Sequence, residues 1–282
     1  MQIINDIREM QKFADNNRCR GKTIGFVPTM GFLHEGHLSL IRIARAKCDI
    51  LIVSIFVNPT QFGQNEDLSS YPRDLARDEK LCQKERVDVI FNPTAEQMYQ
   101  KPYRAYINLE EITETMCGAS RPGHFRGVAT VVGKLFNIVK PHLAVFGQKD
   151  FQQALVIKQM VRDLNFDVKI LTGPIVREPD GLALSSRNKY LISEERKNAL
   201  VLFNSLQLAQ ELVKRGIYNS GEVRRQLEQL INSVPGTAID YIAIVNADTL
   251  KVVSEIKNNT LIALAVFVGK TRLIDNTVIK IA

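Results

Sequence analysis

The sequence predicts an α/β protein: a parallel sheet with helices on both faces, followed by a smaller α+β domain. Three observations predict it. Apolar runs such as ILIVSIFV at 50–57 show no alternation, as expected for strands covered on both faces. Segments with apolar residues at helical spacing separate these runs, which is the rhythm of a parallel sheet with crossover helices. Beyond about residue 178 that rhythm stops, and two helices lead into shorter alternating strands.

The elements follow in order. MQIINDIREMQKF, at the start, alternates polar and apolar residues at helical spacing. TIGFVP at 23–28 reads as a short strand, and GHLSLIRIARAKC places apolar residues at 38, 40, 41, 43, 44 and 48, one helical face. With ILIVSIFV these make a βαβ unit. YPRDLARDEKLCQKE then predicts a helix and VDVIF a strand. VATVVGKLFNIVKP predicts an apolar-faced helix closed by Pro141, followed by the strand LAVFG, the helix DFQQALVIKQMVRDL and the strand DVKILTG. Residues 1–177 are therefore expected to form one domain. In residues 178–282, helices are expected at 193–215 and 220–232, with strands near 240–246, 261–267 and 277–281. The junction GPIVREPDGLALSSRN carries Pro and Gly between two domains, the kind of segment expected to be a movable active-site loop, with the smaller domain acting as a lid.

Composition narrows the class. The 282 residues are 45% apolar and 24% charged, enough for a sizeable core. The longest apolar runs fall well short of the roughly 20 residues a membrane-spanning helix needs. The N-terminus has no apolar stretch ending in a small-residue cleavage site, so export is not expected and the cytoplasm is. Cys19, Cys48, Cys82 and Cys117 are widely spaced, arguing against a zinc site or a disulfide framework. Net charge is +7, spread as +4 over residues 1–176 and +3 over 177–282 with no basic run beyond a doublet. That mild positivity suits small phosphorylated ligands and gives no nucleic-acid footprint.

PTMGFLHEGHLSLI at 28–41 is the segment richest in chemistry. It follows the first strand of the βαβ unit and so lies at the carboxyl edge of the sheet, where open α/β folds bind ligands. Gly31 and Gly36 permit close backbone approach. A helix starting near Gly36 or His37 aims its first N–H groups and dipole at an anion such as phosphate. His34 and His37, three residues apart, can both donate to phosphate oxygens. An isolated H-x-x-H would more often be a loop residue and a helix cap, and no third ligand stands nearby to make it a metal site.

H-x-G-H after a first strand, together with SSRN at 185–188, resembles the nucleotidyl-transfer superfamily, with a single Arg187 where synthetases carry lysines. FVPTMGFLHEGH (26–37), FVNPTQFGQNEDLSSYPR (56–73), RPGHFRGVATVV (121–132), FGQKDFQQ (146–153) and LSSRN (184–188) resemble, in order and spacing across nearly the whole chain, the pantothenate synthetase (pantoate–β-alanine ligase) family. The resemblance implies a Rossmann-like domain and a reaction in two steps: pantoate and ATP form pantoyl-adenylate and pyrophosphate, and β-alanine then displaces AMP. Met30, Gly31, Phe32, Leu33, His34, Glu35, Gly36 and His37 are then expected to line the ATP site, with His37 the main catalytic residue beside His34. Gly147, Gln148, Lys149 and Asp150 are expected to form the nucleotide loop, where Gly147 admits the ribose, Asp150 accepts from its hydroxyls and Lys149 neutralises phosphate. Val176 would touch the adenine, and Leu184, Ser185, Ser186 and Arg187 would fold over the triphosphate.

Gln61 and Gln153 resemble the family's pantoate-holding amides, with Asn58 and Arg121 completing the pocket. Many relatives have Met where this chain has Leu184, a swap expected to change little. Asp74 and Asp78 lie one helical turn apart and read as a solvated surface pair. Mg2+ is expected to arrive with ATP, held mainly by its phosphates, and no protein ligand for it is identified. RPGHFRG, with His124, is expected to be a mobile loop near the site with no role assigned to the histidine, and His142 is expected to be structural. A homodimer is expected from the family. Two rivals are an adenylyltransferase that leaves the nucleotide on its product and an RNA-binding synthetase relative, the latter disfavoured by the even charge.

Overall fold

A computed structural model describes residues 1–64 and 66–281. Asn65, inside the 56–73 stretch, and Ala282, at the end of the expected second domain, lie outside the described residues. In chain order the elements are β1 (Gln2–Ile4), α1 (Ile7–Cys19), β2 (Ile24–Thr29), α2 (Glu35–Arg45), β3 (Ile50–Ile55), α3 (Leu75–Lys84), β4 (Val89–Phe91), α4 (Ala95–Met98), α5 (Cys117–Ser120), α6 (His124–Val139), β5 (Leu143–Gly147), α7 (Phe151–Asp163) and β6 (Lys169–Gly173). There follow α8 (Ser193–Asn198), α9 (Leu200–Lys214), α10 (Ser220–Asn232), β7 (Thr237–Asn246), β8 (Thr260–Val268) and β9 (Thr271–Ile279). The chain divides into two compact units, Met1–Thr113 with Arg121–Gln148 and Gln152–Pro174, and Glu114–Ser120 with Lys149–Phe151 and Ile175–Ala282.

The first unit is a six-stranded, all-parallel sheet in the order β1-β4-β3-β2-β5-β6. On one face Val27, Leu51, Val53, Ile90 and Val145 pack against Leu38, Leu40, Ile41 and Ala44 of α2 and Cys82 of α3. On the other, Phe26 meets the edge of Phe136 of α6 at 6.5 Å between ring centres. Burying each such side chain contributes about 1.5–3 kcal/mol, which explains why the strands are apolar throughout. One expectation fails at the start. The opening residues are not helical from the beginning, because Gln2–Ile4 pairs with Val89–Phe91 as an edge strand. Three residues are too few for a period to show, and the helix begins only after Asp6, whose carboxylate caps Glu9 N at 2.9 Å.

In the second unit β7, β8 and β9 form an antiparallel meander. Its core joins Ile242, Ile244, Leu264 and Val266 to Leu202, Leu206, Val223 and Leu227 of the helices. The helix expected at 193–215 is two, α8 and α9, meeting at Ala199, and the third strand is Thr271–Ile279, earlier than the expected 277–281. The unit starts at Ile175, against an expected 178, and takes in 114–120 and 149–151. Those excursions are held by side chains remote in sequence. Ser120 donates to Asp240 at 2.9 Å, Arg272 reaches Cys117 Sγ at 3.4 Å, and Asn276 Nδ2 donates to Lys149 O at 3.0 Å. No helix among the described residues is long and apolar enough to cross a membrane.

Candidate active site

In the first unit the strand order reverses direction between β2 and β5, so the loops after β2, β3 and β5 share one carboxyl edge at a switch point. The loop after β2 is built under constraint. Gly31 has φ +80° and Phe32 φ +48°, two successive left-handed residues. Asp78 of α3 holds them, accepting from Phe32 N at 2.7 Å and Leu33 N at 2.8 Å. Its side chain is 1% exposed, and burial pushes its pKa up against the lowering effect of those two amides. The surface reading holds for Asp74, which is exposed, and is corrected for Asp78. Asp74 caps α3, and Asp78 is a buried anchor whose partners lie about 45 residues upstream, beyond any helical pattern.

Helix α2 begins at Glu35, one or two residues earlier than expected, with His34 as its N-cap. His34 Nδ1 accepts from Gly36 N at 3.2 Å, and His37 Nδ1 accepts from His34 N at 3.3 Å, so the two imidazoles form a reciprocal capping box. A ring nitrogen that accepts a backbone N–H must be deprotonated. Each histidine is thereby fixed in the tautomer that carries its proton on Nε2, a donor suited to phosphate. The rings lie 4.1 Å apart between centres. Glu35 is paired with Arg42 at the helix surface, and Leu33 is fully buried with its amide on Asp78, so Leu33 offers a ligand neither side chain nor N–H.

The loop after β3 carries Gln61 in a 3-10 turn, Pro59–Gln61. Gln61 Oε1 accepts from Asn58 Nδ2 at 3.0 Å, and its Nε2 points to Met30 Sδ at 3.2 Å, linking this loop to the histidine loop. Asn58 is 1% exposed. It also donates to Gly127 O at 3.2 Å and accepts from Tyr99 Oη at 2.7 Å and Thr60 Oγ1 at 3.0 Å, so it braces the turn that carries Gln61. Burial pushes the Tyr99 hydroxyl up to about 12. His124 Nδ1 lies 2.9 Å from Gln61 O, and Arg121 reaches the same oxygen at 3.4 Å. Arg121 also forms a two-pronged ion pair with Glu66. Burial alone would raise the Glu66 pKa, but the Arg121 hydrogen bonds and charge outweigh it and hold the carboxyl below the usual glutamate value. Helix α6 touches this turn at Gly127, where a Cβ would sit 2.4 Å from Thr60 O. On α7, Gln152 is buried with Nε2 on Ile112 O, and its neighbour Gln153 is half-buried. Met30, Asn58, Gln61 and Arg121 thus form one connected set, and Tyr99, His124, Glu66 and Asp78 are the members that sequence reasoning missed.

Gly147 ends β5, paired with Gly173, and Gln148, Lys149 and Asp150 make a 3-10 turn. In the second unit, Lys149 and Ser185 line one small cavity with Asn188 and Asp275. Ser185 caps the 3-10 turn Ser186–Tyr190, accepting from Arg187 N at 3.3 Å, and Leu184 N donates to Val176 O at 3.0 Å. The junction is strapped down. Arg177 pairs with Asp275 through both oxygens at 2.6 and 2.9 Å, and Arg196 joins Glu178 to Asp180. His142 is structural: its Nδ1 accepts from Ile24 N at 2.9 Å, at the start of β2 and away from the carboxyl edge.

The comparisons with known proteins agree with this geometry. A model of the pantoate–β-alanine ligase family matches residues 2–278. A pantothenate synthetase of Moorella thermoacetica is 57% identical over all of this chain and 99% of its own length. One from Acetivibrio thermocellus is 54% identical over the full length of both. Among solved structures, pantoate–β-alanine ligase (pantothenate synthetase) from Thermus thermophilus superposes with a TM-score of 0.94 at 44% identity, covering 98% of this chain and 99% of that one. A Francisella tularensis pantoate–β-alanine ligase, solved with an ATP form and β-alanine, gives 0.82 at 38% identity, covering 99% and 97%. The sheet order, the histidine-capped helix and these matches together establish that the chain belongs to the pantoate–β-alanine ligase family.

Proposed function

We propose that the chain condenses (R)-pantoate with β-alanine at the expense of ATP, through a pantoyl-adenylate, releasing pyrophosphate and AMP. A carboxylate is a poor electrophile, so it is first converted to an acyl phosphate anhydride. A pantoate carboxylate oxygen attacks the α-phosphorus and the bond to the bridging oxygen breaks, releasing pyrophosphate. The β-alanine amine then attacks the acyl carbon, loses a proton, and AMP departs. The two-histidine cap at the start of α2 carries this proposal. Nε2–H donors on His34 and His37, beside the first-turn amides, are oriented before charge moves onto the phosphate oxygens, the arrangement that lowers such barriers most.

The remaining roles belong to the same proposal. Residues 30–32 and 34–37, with Gly147, Gln148, Lys149 and Asp150, bind the nucleotide, Lys149 opposing phosphate charge and Asp150 taking the ribose hydroxyls, while Leu33 supports the loop from the core. Val176 meets the adenine, and Leu184, Ser185, Ser186 and Arg187 cover the triphosphate, with residues 178–282 as a lid. Gln61 and Gln153 hold pantoate, Asn58 acting through Gln61. Arg121, in its ion pair with Glu66, completes that wall. Magnesium would accompany ATP and supply charge neutralisation, held mainly by the phosphates, and no cluster of three or more His, Cys, Asp or Glu that could hold it stands among the described residues. The enzyme works in the cytoplasm on small molecules, without nucleic acid, as a homodimer. Sedimentation as a monomer at micromolar concentration would count against the dimer.

The deciding experiment is nucleotide product analysis with Mg-ATP and pantoate, with and without β-alanine. AMP and pyrophosphate that accumulate catalytically only with both acids present are expected. ADP, or no dependence on pantoate, would overturn the assignment.

A further inference from the structure

The geometry points to Asp78 as a positioning residue for adenylate formation, acting through the loop 31–33 on the two histidines; this rests on the ATP-site reading above. Left-handed φ at two consecutive positions, one of them Phe32, persists only where the surroundings over-determine it. Three contacts do so here. Gly31 N donates to Thr29 Oγ1 at 3.1 Å, and that hydroxyl is itself tied to Ser54 O at 2.8 Å. Asp78 then takes Phe32 N on one oxygen and Leu33 N on the other. A side chain at Gly31 would collide with Ile55 Cγ2 at 2.9 Å and crowd Asp78 Oδ2 at 3.1 Å, so carboxylate and loop are fitted closely to each other. The residue after Leu33 is His34, the N-cap whose own amide fixes His37.

One buried carboxylate on α3 therefore sets the direction in which the chain enters α2, and with it where both Nε2–H groups aim. It also turns the amides of Phe32 and Leu33 inward, and with the amides of Gly36 and His37 taken by His34, the imidazole Nε2–H groups are the donors this loop presents to an anion. Arg77, the preceding residue, lies with its guanidinium 5.0 Å from the Phe32 ring centre and covers the loop from the outer side. Asp78 touches no reacting atom in this scheme. Its effect is to hold donors where displacement by about 1 Å is costly.

The test is Asp78→Asn, which keeps the shape but presents an amide N–H₂ to one backbone N–H. At saturating pantoate, adenylate formation should fall at least tenfold and the ATP KM should rise, with the pantoate KM within twofold of wild type. Asp78→Glu, retaining the carboxylate, should recover part of the loss. In hydrogen exchange, the Phe32 and Leu33 amides should lose protection in Asp78→Asn while β2 keeps its own. Unchanged kinetics and unchanged protection would overturn the inference, as would equal losses in both KM values with a general fall in protection. If Asp78→Asn does not fold, Asp78→Glu carries the same readouts, and insolubility of both variants would place Asp78 in core stability and overturn a positioning role. If the wild-type chain forms no AMP, the functional reading fails and exchange alone judges the anchor.

Discussion

Gly127→Ala turns a single close approach into a measurable loss. A Cβ at this position of α6 would sit 2.4 Å from Thr60 O, 2.6 Å from Thr60 C and 2.7 Å from Gln61 Cα, all backbone atoms. Ordinary contact begins about 1 Å farther out, so the turn Pro59–Gln61 or the helix must move by about that much. In an unstrained helix interior the same change stabilises by about 1 kcal/mol. Overpacking costs about 1–3 kcal/mol, so the expected net effect is a destabilisation of about 0–2 kcal/mol. The larger consequence is functional. Asn58 bridges Gly127 O and Gln61 Oε1, and His124 holds Gln61 O, so displacement of the turn loosens Gln61 directly. A shift of this size can cost up to about 10²-fold in rate, and it should appear chiefly with pantoate. Thermal unfolding and initial rates, with pantoate and ATP varied separately, are the assay. A variant more stable than wild type with an unchanged pantoate KM would refute the packing argument.

His37→Ala should fold normally and lose at least about 10²-fold in pyrophosphate release, the scale of removing one transition-state donor; near-normal turnover would remove His37 from catalysis. Gln61→Ala and Gln153→Ala should each raise the pantoate KM more than the ATP KM, and equal effects on both would sink the pantoate assignment. Glu66 titrates below its usual value in the folded chain, so the stability it contributes through Arg121 is present above about pH 4.5 and is lost as pH falls through the lowered folded value. Glu66→Gln should therefore show a shallower acid-side fall in Tm than wild type, and identical acid limbs would contradict the ion pair's role.

The parallel sheet was legible because strands such as Ile50–Ile55 are buried on both faces and must be apolar throughout, whatever lies around them. The histidine loop was legible in its place, after β2 and at the start of α2, because glycines after a strand and an apolar helical face beyond them mark that turn, and the structure adds that His34 is the helix cap. What escaped was whatever depends on partners far along the chain. Asp78 looks like any helical acid until the Phe32 and Leu33 amides are placed against it, and Tyr99 like any loop aromatic until its hydroxyl meets Asn58. Helix 193–215 read as continuous because Ala199, where α8 gives way to α9, is itself a strong helix former. The polar face of β9 hid its first half, since Asp275 and Asn276 have their partners in Arg177 and Lys149.

The reciprocal cap on α2 has a consequence for turnover. Each imidazole commits Nδ1 to the helix start, so in the proposed site it would bring one directed N–H to the anion. A cation would attract a triphosphate from any direction and go on attracting the pyrophosphate after the bond had broken. A neutral, rigid dipole is discriminating: it rewards an oxygen that gains charge on its axis and loses its grip as that oxygen swings away. In the proposed function, histidines locked into the backbone in this way would favour the step of bond breaking without retaining what has been released.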